Sequence, residues 1–415
     1  MKFGIIELLT LIGSLGFFIY GMKVMSDGIQ KVAGSKMRSI LSKMTSNRFL
    51  GITTGFILTA LLQSSSATTV MIVSFVNAGL LSLVESIGVI MGANIGTTIT
   101  AWLISLLGFK VKIASIALPI IAIGFPMMFS SKSNIKAWAE VLIGFALLFM
   151  GLDALKGSVP NLGAEELNFL KSYADMGIMS TLIFIGVGTI LTLVVQSSSA
   201  AMALTLVMCY EGYIPFELAA AMVLGENIGT TITANLAALV GNVHSKRAAR
   251  AHFIFNIFGV IWMIFAFQFF INSIDNYMIS NMDLSPVSSV GESVAVPIGL
   301  SIFHTTFNIL NVLFLVWFVP LISRTVIRMQ PSKGEIDEEF HLEHIGAGLM
   351  QTTELSVLEA QKEVIKFGEI TTRLFNMIPE LMKETNNKKF DELMKRIRKY
   401  EDITDKMEVE IADYL

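Results

Sequence analysis

The sequence predicts an all-α integral membrane protein: an inverted-topology repeat with two re-entrant hairpins and two broken helices, plus a cytosolic helical bundle tail. Three observations predict it, namely an apolar composition, a polar signature that occurs twice at a constant offset, and an uneven spread of basic residues. Of the 415 residues 53% are hydrophobic and 15% charged, where soluble domains carry about 25% charged residues. A hydrocarbon surrounding, and so a lipid bilayer, follows from that imbalance. The net charge of -3 suits no polyanion, which excludes nucleic acid as a partner. The lone cysteine, Cys209, leaves no intrachain disulfide and reads as a small core residue.

Repeats are settled before other fold questions. Gln63-Ser64-Ser65-Ser66-Ala67 returns as Gln196-Ser197-Ser198-Ser199-Ala200. Gly92-Ala93-Asn94-Ile95-Gly96-Thr97-Thr98-Ile99-Thr100 returns as Gly225-Glu226-Asn227-Ile228-Gly229-Thr230-Thr231-Ile232-Thr233. Both pieces shift by 133 residues, and the register also holds at Gly55/Gly188, Thr59/Thr192, Gly79/Gly212, Ala101/Ala234 and Gly108/Gly241. The segment is a structural duplication.

Each element then follows in chain order. A span needs roughly 20 apolar residues. The first, about 4–25, carries Glu7 and no small-residue cleavage site, so it reads as a retained helix rather than a signal peptide. Basic residues then collect in loops: Lys31, Lys36, Arg38, Lys43 and Arg48; Lys132 and Lys136; Lys246, Arg247 and Arg250; Arg324 and Arg328. Segments 157–170 and 272–296 have none. The basic set is cytoplasmic and the other external, with Lys110 and Lys112 as an external exception. This makes 49–80 a hairpin with its tip at Gln63–Ser66 and 83–108 a crossing helix broken near Asn94–Thr97, followed by a span over 113–130. Residues 1–130 form the first repeat. The second, 131–273, holds a span at 135–156, a hairpin at 178–213 entering from the opposite side, a broken helix at 216–241 and a span at 251–273. A further span lies within 274–328. Phe17-Phe18-Ile19-Tyr20-Gly21-Met22 pairs with Leu147-Leu148-Phe149-Met150-Gly151-Leu152, the first run ending inside and the second outside.

Inverted repeats whose discontinuous helices meet at mid-membrane are how many secondary transporters are built. Unpaired backbone in hydrocarbon costs several kcal/mol per group, so such breaks survive only where protein or a wet cavity satisfies them. Serine hydroxyls and helix N-termini at the tips suit an oxyanion. Gln63, Gln196, Asn94, Asn227, Thr97, Thr98, Thr230 and Thr231 add neutral oxygens that suit an alkali cation. Neither signature contains Arg or Lys, so a multivalent anion needs accompanying cations, and ion-coupled anion symport is the natural chemistry. A single such motif usually serves helix packing, whereas two copies in register favour a site. A serine nucleophile needs a positioned base and neither signature holds His, Lys or Asp, so no enzyme is expected. His252 and His304 stand four residues before Asn256 and Asn308, on one helix face each, an arrangement that suits a structural hydrogen bond. Glu226 replaces Ala93 in the second copy; an ionisable group at this depth is a proton site, a cation site or an asymmetric gate.

On the doubled Gln-Ser-Ser-Ser and Gly-x-Asn-Ile-Gly-Thr-Thr segments, with Phe255-Asn256 and Phe307-Asn308, residues 4–325 resemble the sodium–phosphate cotransporter family (type II, solute carrier 34-like, with bacterial members). The resemblance implies sodium-driven uptake of inorganic phosphate by alternating access, in an elevator-like or rocking core. It implies phosphate at Gln63, Ser64, Ser65, Ser66, Gln196, Ser197, Ser198, Ser199, Asn94 and Asn227. Sodium, the coupling ion in the absence of other cofactors, is implied at Gln63, Ser65, Asn94, Thr97, Thr98, Gln196, Ser198, Asn227, Thr230 and Thr231. Transport of another oxyanion, proton coupling, and a phosphate sensor on the same fold stay open.

After Arg328 the chain turns charged. Leu355, Leu358, Val364, Ile365, Phe367, Leu374 and Ile378 form one apolar stripe, and Phe390, Leu393, Met394, Ile397, Met407 and Ile411 another. Asn386-Asn387 separates them into an antiparallel pair. This tail, 333–415, is similar to the PhoU-like domain of bacterial family members, which implies a bacterial inner-membrane protein with a cytoplasmic C-terminal domain. Glu401 and Asp405 match the acidic metal motif of such bundles. The reading allows a homodimer and a cytosolic regulator docked through the tail. The last helix reaches Leu415 without a stop signal, so a truncated chain is expected.

Overall fold

The computed structural model describes residues 4–42, 48–77, 81–159, 177–289, 293–331 and 353–414, and every element among them is helical. Fourteen α-helices follow one another: α1 (Ile5–Ser42), α2 (Arg48–Leu62), α3 (Ser65–Asn77), α4 (Leu83–Leu103), α5 (Ala117–Met127), α6 (Ser133–Ser158) and α7 (Ile178–Val195). Then come α8 (Ser198–Tyr210), α9 (Phe216–Ala237), α10 (Val243–Met282), α11 (Ala295–Leu315), α12 (Val319–Met329), α13 (Thr353–Lys383) and α14 (Asn387–Tyr414). Among the described residues six helical stretches are long and apolar enough to cross a membrane: Ile5–Ala33, Leu83–Lys110, Ser133–Ser158, Ile178–Val195, Val243–Met282 and Ala295–Met329. The protein is multi-pass.

Several expectations need correction. The span expected over 113–130 is a helical run of Ile113–Met127 that begins after left-handed Lys112 and ends in a turn, short of the roughly 20 residues a crossing needs. The crossing expected at 216–241 is too polar, with Glu226, Asn227 and its threonines, to count among the six. Conversely α7, expected as one arm of a hairpin, is long enough to cross. The first and last spans of the repeats also outrun their expected ends, α1 continuing to Ser42 and α10 to Met282.

The largest correction concerns the breaks. Neither α4 nor α9 is broken at the Asn-Ile-Gly-Thr-Thr segment; both run as continuous α-helix through it. The polar side chains bond back onto their own helix. Thr97 Oγ1 donates to the Ala93 carbonyl at 3.2 Å, Thr98 to Ile95 at 2.7 Å, Thr230 to Asn227 at 2.8 Å and Thr231 to Ile228 at 2.7 Å. Such bonds satisfy a hydroxyl without opening the helix. The irregular turns come later, a π-helical stretch at Ile104–Lys110 after α4 and a 3-10 turn at Ala238–Val240 after α9.

The glycines serve close approach instead. A Cβ on Gly55 would strike the Val89 carbonyl and one on Gly92 the Ile52 carbonyl; the same collisions recur for Gly188 on Met222 and Gly225 on Ile185. At Gly96 and Gly229 the obstacle is the Cβ of Thr59 and of Thr192, 2.6 Å away in each case. Every contact has its twin 133 residues on. Thus α2 lies on α4, and α7 on α9, backbone to backbone, the small-residue mode of packing in lipid. α1 and α6 pack in the same manner, Gly21 against Leu148, Gly151 against Phe18 and Gly144 against Met25, so they run antiparallel.

Basic residues gather at one end. Arg48 Nη1 donates to the Val316 carbonyl at 3.0 Å, Arg247 Nε to Gln330 at 2.9 Å, and Arg250 Nη1 to Met329 at 3.0 Å. Lys156 belongs to another group, donating to the Gly108 carbonyl at 2.8 Å with its ammonium over the Phe109 ring. The side chains of Lys36, Arg38 and Lys43, and most of the 157–170 segment, lie outside the described residues.

In the tail α13 and α14 fold on each other as a hairpin across the break before Asn387. Ile370, Met377, Tyr400, Ile403, Met407 and Ile411 form its core, with Phe367, Leu374 and Ile397 against it. The stripe is rotated from the expected one, since Val364, Ile365, Ile378 and Phe390 are exposed. The side chains of Leu355 and Leu358 lie outside the described residues.

Gly55→Ala and Gly188→Ala should each lower thermal stability in detergent, overpacking costing about 1–3 kcal/mol. Gly186→Ala, whose Cβ would meet nothing within 4 Å, should leave the melting point unchanged or raise it.

Candidate functional site

Two helix interruptions survive, at the Gln-Ser-Ser-Ser segments. Gln63, at φ 52°, and Gln196, at φ 53°, both stand in the left-handed region, where a side chain costs about 1–2 kcal/mol. A left-handed residue ends each preceding helix. The next residue opens the following one: Ser64 Oγ accepts from the Ala67 amide and Ser197 Oγ from the Ala200 amide, both at 3.2 Å. This is ordinary serine N-capping. The first hairpin is tied by Thr59 Oγ1 donating to Thr68 Oγ1 at 3.0 Å.

Further bonds fix the first tip. Gln63 Nε2 donates to the Ala60 carbonyl at 2.5 Å, and Gln63 Oε1 accepts from Thr100 on α4 at 3.1 Å. Ser199 Oγ of the second tip donates to the Gln63 carbonyl at 3.4 Å. The two tips therefore meet, and between them lies a cavity of about 230 Å³. It is lined by Gln63, Ser64 and Ser66, by Gln196 through Ser199, and by α1. Gln63 is buried and Gln196 exposed, so the two sides of the cavity differ. Ser66 Oγ is buried without a hydrogen-bond partner. The first residues of α3 and α8 have no intrahelical acceptors for their amides, apart from the Ala67 and Ala200 amides that the serine caps take up.

α1 brings what neither tip has. Lys23 and Asp27 line the cavity, while Ser26 Oγ donates to the Leu62 carbonyl at 2.7 Å and Gln30 Nε2 to Ser26 Oγ at 3.1 Å. Sequence reasoning missed these four residues. The available signal was a pair of charges one turn apart, Lys23 and Asp27, at the expected end of the first span.

The remaining predicted residues are not among those that line the cavity. Asn94 Nδ2 donates to Asn256 Oδ1 at 3.2 Å, and His252 Nε2 lies 3.4 Å from Asn94 Oδ1. Asn256 Nδ2 in turn donates to the His252 carbonyl at 3.1 Å, and Asn308 to the His304 carbonyl at 2.9 Å. The His and Asn pairs are thus linked through backbone, and the first of them holds α4 to α10. Asn227 bonds within α9, to the Val223 carbonyl at 3.1 Å. Glu401 and Asp405 are exposed on α14, and among the described residues no group of three or more His, Cys, Asp or Glu gathers into a metal site.

Comparison with known proteins shows the family. The profile of the Na+/Pi-cotransporter family matches residues 17–157 and 167–281. The chain belongs to that family. It is 24% identical over 380 residues to a Salmonella typhimurium protein named for inorganic phosphate export, YjbB, covering 91% of this chain and 66% of the relative. Over 249 residues it is 30% identical to the uncharacterized Bacillus subtilis protein YqeW, covering 59% of this chain and 77% of that one. A stretch of 106 residues, 25% of this chain, is 40% identical to human sodium-dependent phosphate transport protein 2B, of which it covers 15%. No solved structure matches. The chain thus spans just under two thirds of the phosphate-export relative.

The left-handed glutamines give a test of the tips as folding elements. Gln196→Gly should keep the fold and raise thermal stability by up to about 1 kcal/mol, because glycine takes a positive φ freely, whereas Gln63→Gly also gives up the buried bonds to Ala60 and Thr100 and should lower it. Gln63→Val and Gln196→Val should lower it; a melting series in detergent separates the four.

Proposed function

We propose that this protein is a sodium-coupled phosphate symporter of a bacterial cytoplasmic membrane, working by alternating access. The observation that carries the reading is the convergence of the two Gln-Ser-Ser-Ser tips on one cavity, with the unpartnered Ser66 hydroxyl at its wall. Phosphate is recognised by the serine hydroxyls and first-turn amides of α3 and α8, donors that suit an oxyanion. Lys23 supplies the positive charge that the signatures lack. Sodium sits among the neutral oxygens of Gln63, Ser65, Gln196 and Ser198, while Asn94, Asn227, Thr97, Thr98, Thr230 and Thr231 shape the layer behind.

The two halves are inverted repeats. The contacts of α2 on α4 and α7 on α9 repeat residue for residue, and Gly21 meets Leu148 where Gly151 meets Phe18. That reciprocity is what a two-fold relation between α1 and α6 produces. α2, α3 and α8 are each shorter than a crossing helix, which supports hairpins that enter the membrane and return. The Arg48, Arg247 and Arg250 end is cytoplasmic by the positive-inside rule. There the PhoU-like α13–α14 hairpin offers a surface to a cytosolic regulator.

Direction follows the sodium gradient. The phosphate-export name of the Salmonella relative favours a second reading, efflux. Proteoliposomes of the purified protein given radiolabelled phosphate and an inward sodium gradient should accumulate it, and an equal potassium gradient should not. Uptake under both gradients overturns sodium coupling; release of preloaded phosphate without accumulation supports the export reading. Ser66→Ala should raise the phosphate KM roughly tenfold or more, a hydrogen bond to a charged group being worth about 1.5–3 kcal/mol. Lys23→Ala should also raise KM, and the change should shrink as salt is added.

A further inference from the structure

The two repeats share their scaffold but differ, among other places, in polarity at a pair of buried positions. In the first, Ile72 on α3 and Ala93 on α4 are both fully buried. The positions 133 residues later are Thr205 on α8 and Glu226 on α9, 0% and 2% exposed. Thr205 Oγ1 donates to Glu226 Oε1 at 2.7 Å, and Glu226 Oε2 is buried with no hydrogen-bond partner. An apolar pair has become an acid and its donor.

A buried ionised carboxylate without a countercharge is so costly that the group neutralises instead. The helices packed on α9 supply no countercharge. α3 and α7 contain no ionisable residue. α8 brings Cys209 and Tyr210, α11 brings His304, α10 brings Arg247 and His252 to the interior, and Glu217 is on α9 itself. Arg247 Nε is bonded to the Gln330 carbonyl and His252 to Asn94. None of these residues forms an ion pair or hydrogen bond with Glu226. An alkali cation needs several oxygen ligands, and among the described residues the Thr205 hydroxyl is the one side-chain oxygen hydrogen-bonded to the carboxylate. A proton needs only Oε2.

We propose that Glu226 is a proton-binding site: Oε2 takes up and releases a proton while Oε1 stays bonded to Thr205, so that the second repeat handles an ion the first cannot. Its coupling to transport rests on the reading given under Proposed function; its protonation does not. The step is a simple association, carboxylate plus proton giving carboxylic acid, with no other reactant.

Infrared difference spectra of the full chain in lipid bilayers, recorded between high and low pH, test it directly. Wild type should show the carbonyl band of a protonated carboxylic acid that Glu226→Gln removes. Thr205→Val takes away a donor that favours the charged form, so the band should persist to higher pH. A positioning role alone would leave that midpoint unmoved. The double variant Thr205→Ile with Glu226→Ala recreates the Ile72 and Ala93 pair, so it should fold and lack the band. In proteoliposomes with an internal pH indicator, phosphate should drive proton movement in wild type and not in Glu226→Gln. A band lost in Glu226→Gln upholds the site even if no phosphate moves. The absence of such a band at any pH, or its loss on exchanging potassium for sodium, overturns the proposal.

Discussion

The cavity depends on backbone lying directly on backbone, α2 on α4 and again α7 on α9. A helix that stops half way through an apolar interior exposes carbonyls and amides that cost several kcal/mol each unless something holds them. At the end of α2 the Leu62 carbonyl is held by the Ser26 hydroxyl of α1 and the Ala60 carbonyl by the Gln63 side-chain amide. Glycine at Gly55, Gly92, Gly188 and Gly225 removes the side chains that would separate the two axes. With those contacts repeated, the left-handed glutamines and capping serines fall at matching positions in the two halves, and the tips meet.

How much of this was legible in sequence varied with the kind of signal. The duplication was plain because identical residues at a constant offset require no geometry to recognise. It led to the two tips and hence to the cavity. The same glycines and threonines were read as breaks in α4 and α9, since a Gly-Thr-Thr run looks alike in sequence whether it opens a helix or packs one. Only the bonds from Thr97, Thr98, Thr230 and Thr231 back to their own carbonyls decide between them. Lys23 and Asp27 escaped because they occur once and belong to no motif. In the tail, hydrophobic spacing identified the helices but missed the rotation that exposes Val364 and Ile365, because both faces of α13 carry apolar residues.

Duplication gives a scaffold, and departures from it give each half its own task. Gln63 is buried and bonded to Thr100, whereas Gln196 is exposed. Asn94 reaches across to α10, whereas Asn227 is satisfied within its own helix. The two halves are thus alike in backbone contact and unlike in polarity.

α10 has a consequence of its own. Its 40 residues form a rod about 60 Å long at 1.5 Å per residue, about twice the roughly 30 Å of hydrocarbon. Even steeply tilted, such a rod stands in water at one end or both. It is clasped at its start by Asn242 to Asn77 of α3 and part way along by His252 and Asn256 to Asn94 of α4. Its far part is braced as well: Phe267, Ile271, Ile274 and Met278 are buried, and Asp275 accepts from the Ser285 hydroxyl and the Val287 amide. The helix is thus a mast stayed at its foot, its middle and near its head, and what projects beyond the hydrocarbon is held in a fixed direction.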